Sequence, residues 1–179
     1  MLQYVRESLT DDEEIIHVAH FHWTYSLSAM LNIVFGLIGA ILLIVVAIKF
    51  QPMILGTQVP YGVGWIAQVQ SVHPIAKIIA FLILLFGIYK FARMMIIKAT
   101  TEIAITNTRL IYKRGLVARY VGEINTDRIE GVNVLQGFFG RMFNFGRVMV
   151  RGMGVGEVIL PPIEDPIKFR KAIDRARNI

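Results

Sequence analysis

The chain has 179 residues, 55% of them hydrophobic and 18% charged, which is richer in apolar residues than soluble domains of this length, so a membrane class is the first expectation. The absence of cysteine excludes disulfide frameworks, thiolate metal sites and cysteine nucleophiles. Net charge is +6, yet Glu7, Asp11, Asp12, Glu13 and Glu14 oppose Arg6 near the start, so the positive charge lies further along the chain.

Residues 1–25 read as a lead-in to the first apolar run. Residues 26–48 then carry no charge, and at about 1.5 Å per residue they extend about 35 Å, enough to cross roughly 30 Å of hydrocarbon. They follow an acidic stretch and lead into Lys49, Phe50 and Gln51, which suits a retained anchor and not a cleaved signal. A second apolar run, residues 75–97, carries Lys77 near one end and Lys90 and Arg93 near the other, all able to snorkel. Together residues 26–97 predict a two-span hairpin with an outer loop at 49–74. The loop holds Lys49 but no acidic residue, and either lies on the membrane or packs on the helices.

Lys90, Arg93, Lys98 and a basic domain follow the second span, which places both termini on the cytoplasmic side of a multi-pass protein of the cell (inner or plasma) membrane. Trp23, Tyr25, Tyr61 and Trp65 suit interfacial anchors. Ser28, Asn32, Gly36 and Ala40 recur at intervals of four in the first span, as do Ala76 and Ala80 in the second. Such small and polar faces serve packing within the hairpin or contact between protomers. Asn32 needs a partner in hydrocarbon, on another helix or on its own backbone.

After Thr100 the period changes, within a domain that runs from residue 98. Ile103 and Ile105 alternate with Glu102 and Ala104, residues 110–114 return after Asn107 and Thr108, Gly115 turns again, and residues 116–124 continue an antiparallel meander. Val148 and Val150 alternate with Arg147, Met149 and Arg151, a half-buried strand with a cationic outer face. Gly152, Gly154 and Gly156 form a turn, and Pro161 with Pro162 ends the sheet. Asp165 suits an N-cap and Pro166 the first helical position, with Phe169, Ala172, Ile173 and Ala176 as the apolar stripe. A small barrel or bent sheet plugged by this helix accounts for the pattern, and the fold class is an α+β membrane protein.

Residues 101–115 read TEIAITNTRLIYKRG, residues 124–150 read INTDRIEGVNVLQGFFGRMFNFGRVMV, and residues 161–173 read PPIEDPIKFRKAI. These stretches resemble the bacterial pleckstrin-homology (PH-like) membrane proteins of the YdbS/YdbT-like kind, whose domain opens T-x-Y-x-I-T-N-x-R-[LIV]-I-x-x-x-G. EEIIHVAHFHW at residues 13–23 is similar to the family's lead-in, the outer loop at 49–74 is unmatched, and Ile103 stands where an aromatic is commoner. The resemblance implies a PH-like barrel capped by the C-terminal helix, residues 98–179, and says little about activity. It implies structural roles for the motif: a left-handed turn at Asn107, bracing of the hairpin by Arg109, and tight backbone at Gly115 and Gly146.

Lys113, Arg114 and Arg119 flank one turn and are the candidate lipid-head-group site. Arg128, Arg141, Arg147 and Arg151 add cations that serve either lipid binding or plain solvation. Phe138, Phe139, Met142, Phe143 and Phe145 crowd a short segment whose first expectation is core packing, with Arg141 bonding loop carbonyls; a membrane or partner contact, through Phe138, Phe139, Met142 and Phe143, is the second. His17, His20 and His22 lack a fourth ligand of matching spacing, so no metal is expected and they read as polar anchors. HExxH, GxSxG and GxxxxGK[ST] are missing, and the Gly-rich run at 152–156 leads into a strand, so no catalytic residue, cofactor or enzyme activity is expected. The expected function is a noncatalytic membrane-anchored scaffold or adaptor binding protein partners, its own copies or anionic lipid. The rival is a homo-oligomeric channel-like or transport-associated protein built on Asn32, Gly36 and Ala40. The partners expected are membrane lipids, further copies or a membrane protein, and not nucleic acid, because the cations are scattered over strands.

Overall fold

The computed structural model describes residues 3–55, 62, 64–115, 120–154 and 156–178. The chain divides into two compact units, Ser26–Met95 and the combination of Met1–Tyr25 with Ile96–Ile179.

In the first unit, α2 (Trp23–Leu55) and α4 (Pro74–Thr100) are the two apolar runs, each longer than its uncharged core because helix continues into polar flanks. A short α3 (Trp65–Ser71) precedes α4, so much of the expected outer loop at 49–74 is helical. Gln51, near the end of α2, holds the turn between α3 and α4: its side chain donates to the Ser71 carbonyl at 3.2 Å and accepts the His73 N–H at 2.8 Å. Lys77 donates to the Gln70 carbonyl at 2.7 Å.

Ala29 and Gly36, seven residues apart, and Ala80 and Gly87, also seven apart, are the buried small residues of the two helices. A Cβ on Gly87 would stand 2.6 Å from the Asn32 carbonyl oxygen, and one on Gly36 would stand 3.2 Å from the Gly87 Cα, so the helices meet backbone to backbone here. The seam follows a seven-residue repeat. A strict interval of four drifts around a helix of 3.6 residues per turn, which is why Ser28 is exposed and Ala29 buried.

The second unit corrects two expectations. The lead-in is part of the domain: α1 (Gln3–Ser8) and β1 (Ile15–Ala19) belong to it, and β1 pairs antiparallel with β2 (Glu102–Thr106). The first sheet runs β1-β2-β3-β4, with β3 at Arg109–Arg114 and β4 at Tyr120–Asn125. A 3-10 turn at Thr126–Arg128 leads to β5 (Ile129–Leu135), α5 (Phe138–Met142), β6 (Phe145–Gly152), β7 (Gly156–Ile159) and β8 (Ile163–Glu164). The second sheet runs β5-β6-β7, and β8 pairs with β6. The described strands therefore form two sheets and not one closed barrel. The lead-in touches both: Phe21 bridges Ile163, and the Glu164 N–H donates to the His20 carbonyl at 2.9 Å.

The core lies between the sheets. Ile103, Ile105 and Leu110 from the first sheet meet Val148, Val150 and Val158 from the second, and α6 (Pro166–Ala176) adds Phe169, Ala172, Ile173 and Ala176. On β6 the alternation holds, with Val148 and Val150 buried and Arg147 and Arg151 exposed. On β2 it does not, because every residue is buried. The face expected to meet water carries Ala104, which packs with Val5 of α1 and Ile111 of β3 in a smaller cluster.

Two turn assignments also change. Asn107 is not among the left-handed residues; its side chain instead accepts the Glu14 N–H and donates to the Asp12 carbonyl, both at 3.1 Å. Asp165 does precede α6 with Pro166 behind it, but its backbone is left-handed (φ 48°) and its side chain makes no cap. N-cap residues normally sit in the β region, from which the side chain reaches back to the first turn. Here the carboxylate bonds Asn144 and, at 2.6 Å, Lys168. Gly115 does take the positive φ expected of it, 106°. At Gly146 a Cβ would lie 2.9 Å from the Leu135 carbonyl, so tight backbone is required there too.

Candidate functional site

The most densely bonded polar group is Glu13, whose side chain is 1% exposed. Arg109, at the start of β3, grips it with two donors, Nε to Oε1 at 3.0 Å and Nη2 to Oε2 at 2.9 Å. Thr106 and Thr108 donate their hydroxyls to Oε1 at 2.7 and 3.0 Å, and the Thr10 N–H reaches Oε2 at 3.3 Å. Burial alone would raise the Glu13 pKa, but these donors, Thr106 and Arg109 foremost, overcome it and hold the pKa down at about 2. Arg109 also binds Glu123 at 2.8 Å and the Ser8 carbonyl at 2.6 Å, and its own pKa is raised, chiefly by the hydrogen bond to Glu13. The bracing role implied for Arg109 extends beyond its hairpin: it ties β3 and β4 to the lead-in. A charge pair satisfied this fully is a clamp and not a proton carrier.

The proposed head-group trio separates. Lys113 is not a free cation, because it pairs with Glu102 directly across the β2–β3 ladder at 3.1 Å, and Glu102 in turn accepts the Val5 N–H at 3.2 Å. Arg114 is exposed. Arg119 lies outside the described residues. Arg128, Arg141 and Arg147 are exposed and enter no ion pair among the described residues, whereas Arg151 pairs with Glu157.

The aromatic segment overturns its first expectation except at Phe145, which is half-buried and stacks on His22. Phe138 is 78% exposed, Phe139 64% and Met142 58%, with Phe143 exposed beside them. The sequence could not show what holds them out. Gln136 donates to the carbonyls of Gly140 and Phe145 at 3.3 and 3.1 Å, and Gly140 presses so close that a Cβ would lie 2.6 Å from the Phe145 carbonyl oxygen. The backbone side of α5 is thus docked on β6, and its apolar side chains face away. Arg141, expected to bond loop carbonyls, is exposed; Gln136 takes that part.

Two of the three histidines pack within the domain, and His20 is exposed. His22 is buried, stacks on Phe145 with ring centres 5.0 Å apart and shares a 2.9 Å hydrogen bond with Thr24. His17 lies on β1 beside Phe169, and burial lowers its pKa. Among the described residues no group of three metal-ligating side chains converges. In the hairpin, the Asn32 amide donates to its own helix at the Ser28 carbonyl, 2.8 Å, and also lies 3.5 Å from the Met94 sulfur. Of the face Ser28, Asn32, Gly36 and Ala40, Asn32 and Gly36 meet α4 inside the hairpin, and Ser28 is exposed.

A family model described as a bacterial PH domain matches residues 24–177, spanning both apolar helices and all the strands from β2 onward. The chain belongs to the bacterial PH domain family. No curated protein and no solved structure matches it. The match begins one residue after Trp23, so in this bacterial PH domain protein Arg109 falls inside the matched region while its main partner, Glu13, and strand β1 fall before it.

Proposed function

We propose that this bacterial PH domain protein is a noncatalytic, membrane-anchored adaptor of the YdbS/YdbT-like kind. The helical hairpin spans the cell (inner or plasma) membrane with both termini cytoplasmic, and the PH-like domain works at the inner leaflet. The observation that carries the reading is the state of α2: its most apolar 18-residue window has a mean hydropathy of 2.9 and is only 6% buried, and that of α4 has 2.1 and is 11% buried. A helix this apolar would be mostly buried if it belonged to the core of a soluble protein; left uncovered, its sides call for lipid. The adaptor part is supported by family membership and by the internal engagement of Glu13, Arg109, Glu102 and Lys113, which leaves binding rather than catalysis to the surface. The exposed guanidiniums of Arg114, Arg128, Arg141 and Arg147 favour an anionic partner, lipid or protein, each adding about 1 kcal/mol near an anionic membrane surface.

The cysteine-free chain makes the topology directly testable. Single substitutions Gly64→Cys, Asp11→Cys and Arg177→Cys are exposed to a membrane-impermeant thiol reagent in intact cells. The reading requires labelling at Gly64→Cys from outside, and at the other two only after the membrane is opened. Labelling of all three in intact cells, or of none after opening, would contradict it.

A further inference from the structure

We infer that α5 is a second membrane contact of the domain, a short wedge whose Phe138, Phe139 and Met142 side chains enter the head-group region of the cytoplasmic leaflet. The inference rests on the anchored reading and adds a site to it. Three observations carry it.

First, the three side chains are among the most exposed apolar groups of their unit, and Leu135 and Phe143 extend the patch on either side. Exposed apolar side chains gathered in one patch mark a contact more readily than a solvated face. Second, the patch is held outward by construction. Gln136 binds the carbonyls of Gly140 and Phe145, and the absent side chain of Gly140 lets α5 sit against β6, so these residues have no route into the core. Third, Phe143 meets Trp23 edge-on with ring centres 6.0 Å apart, and the chain runs from Trp23 without interruption into α2.

That third observation selects the occupant. Tryptophan at the start of a span belongs at the head-group level, where its ring is amphipathic in an amphipathic layer. A patch continuous with Trp23 lies at the same depth, and lipid is what it meets there. Arg141, exposed on the same short helix, supplies a cation that can stay among phosphates while its stem lies along the apolar surface. A protein groove or a second copy would need a partner surface at that level, and nothing about the patch calls for one.

The test uses the full chain in vesicles of phosphatidylcholine and phosphatidylglycerol, with one fluorophore attached through Phe138→Cys, Ile38→Cys or Lys171→Cys. Nitroxide-bearing lipids quench from the head-group region or from deep in the bilayer, and iodide quenches from water. We expect loss of emission at Phe138→Cys with the shallow nitroxide and little with iodide, deep quenching at Ile38→Cys, and iodide quenching alone at Lys171→Cys. If Ile38→Cys is quenched by lipid but Phe138→Cys only by iodide, the wedge is wrong and the anchor stands. Protection of Phe138→Cys from both quenchers would mean a protein cover and would also overturn the wedge. Failure of lipid to quench Ile38→Cys would remove the anchored reading and the wedge with it. Phe139→Cys repeats the measurement at a neighbouring surface position.

Discussion

Glu13 shows how a single carboxylate can make stability depend on pH. Its folded pKa of about 2 lies below the ordinary 4.5, so its contribution is complete above pH 4.5 and disappears as pH falls towards 2. The difference corresponds to about 3 kcal/mol. Denaturation followed between those pH values should show the loss, and Glu13→Gln should flatten that part of the profile while lowering stability at neutral pH. Arg109→Ala leaves the Glu13 charge buried and should cost roughly 3 kcal/mol, measurable in the same denaturation. In the hairpin, Gly87→Val drives a side chain into the Asn32 carbonyl and should destabilise by about 1–3 kcal/mol, seen as a lower melting temperature in detergent. Gly131→Ala, where a Cβ meets nothing within 4 Å, is the matched change that should be nearly silent.

Among the elements, α6 and β6 were plain in the sequence because their burial follows one local period. Phe169, Ala172, Ile173 and Ala176 return every three or four residues, and Val148 and Val150 every second. Phe169→Ala should therefore cost about 3–5 kcal/mol in the same unfolding measurement. β1 was not legible. It is five residues long, opens with a bulge between Ile15 and His17, and finds its partner strand beyond both apolar helices in the sequence. Local periodicity carries no trace of a contact that distant. The double burial of β2 was hidden for the same reason, since α1 and β1 cover the face that the alternation assigned to water. Removing residues 1–20 should expose the β2 edge and the Ala104 face; the shortened chain should elute from size exclusion as aggregate where the full chain does not.

At the scale of the molecule, the division into an apolar hairpin and a basic β domain could be read from hydropathy and period, and the resemblance led to the family that the match from residue 24 to residue 177 establishes. The working surface was harder to read. Whether a cation is free or paired depends on register: Lys113 looked available until the ladder put it opposite Glu102. Whether a run of aromatics is core or contact depends on which side of its turn is docked, and Gln136 decides that with two hydrogen bonds that spacing does not announce.

The division of one folded unit between Met1–Tyr25 and Ile96–Ile179 also bears on how the chain is made. On the anchored reading, the first strand leaves the ribosome long before the strand it must join, and both spans have to be inserted in between. The early segment must wait on the cytoplasmic side until synthesis reaches β2 and β3. On that reading, a chain that inserted only one of its two helices would leave β1 and Glu13 across the bilayer from Arg109 and could not complete its domain. Completion of the domain then depends on insertion of both helices, and a chain with one helix left out keeps an open β2 edge.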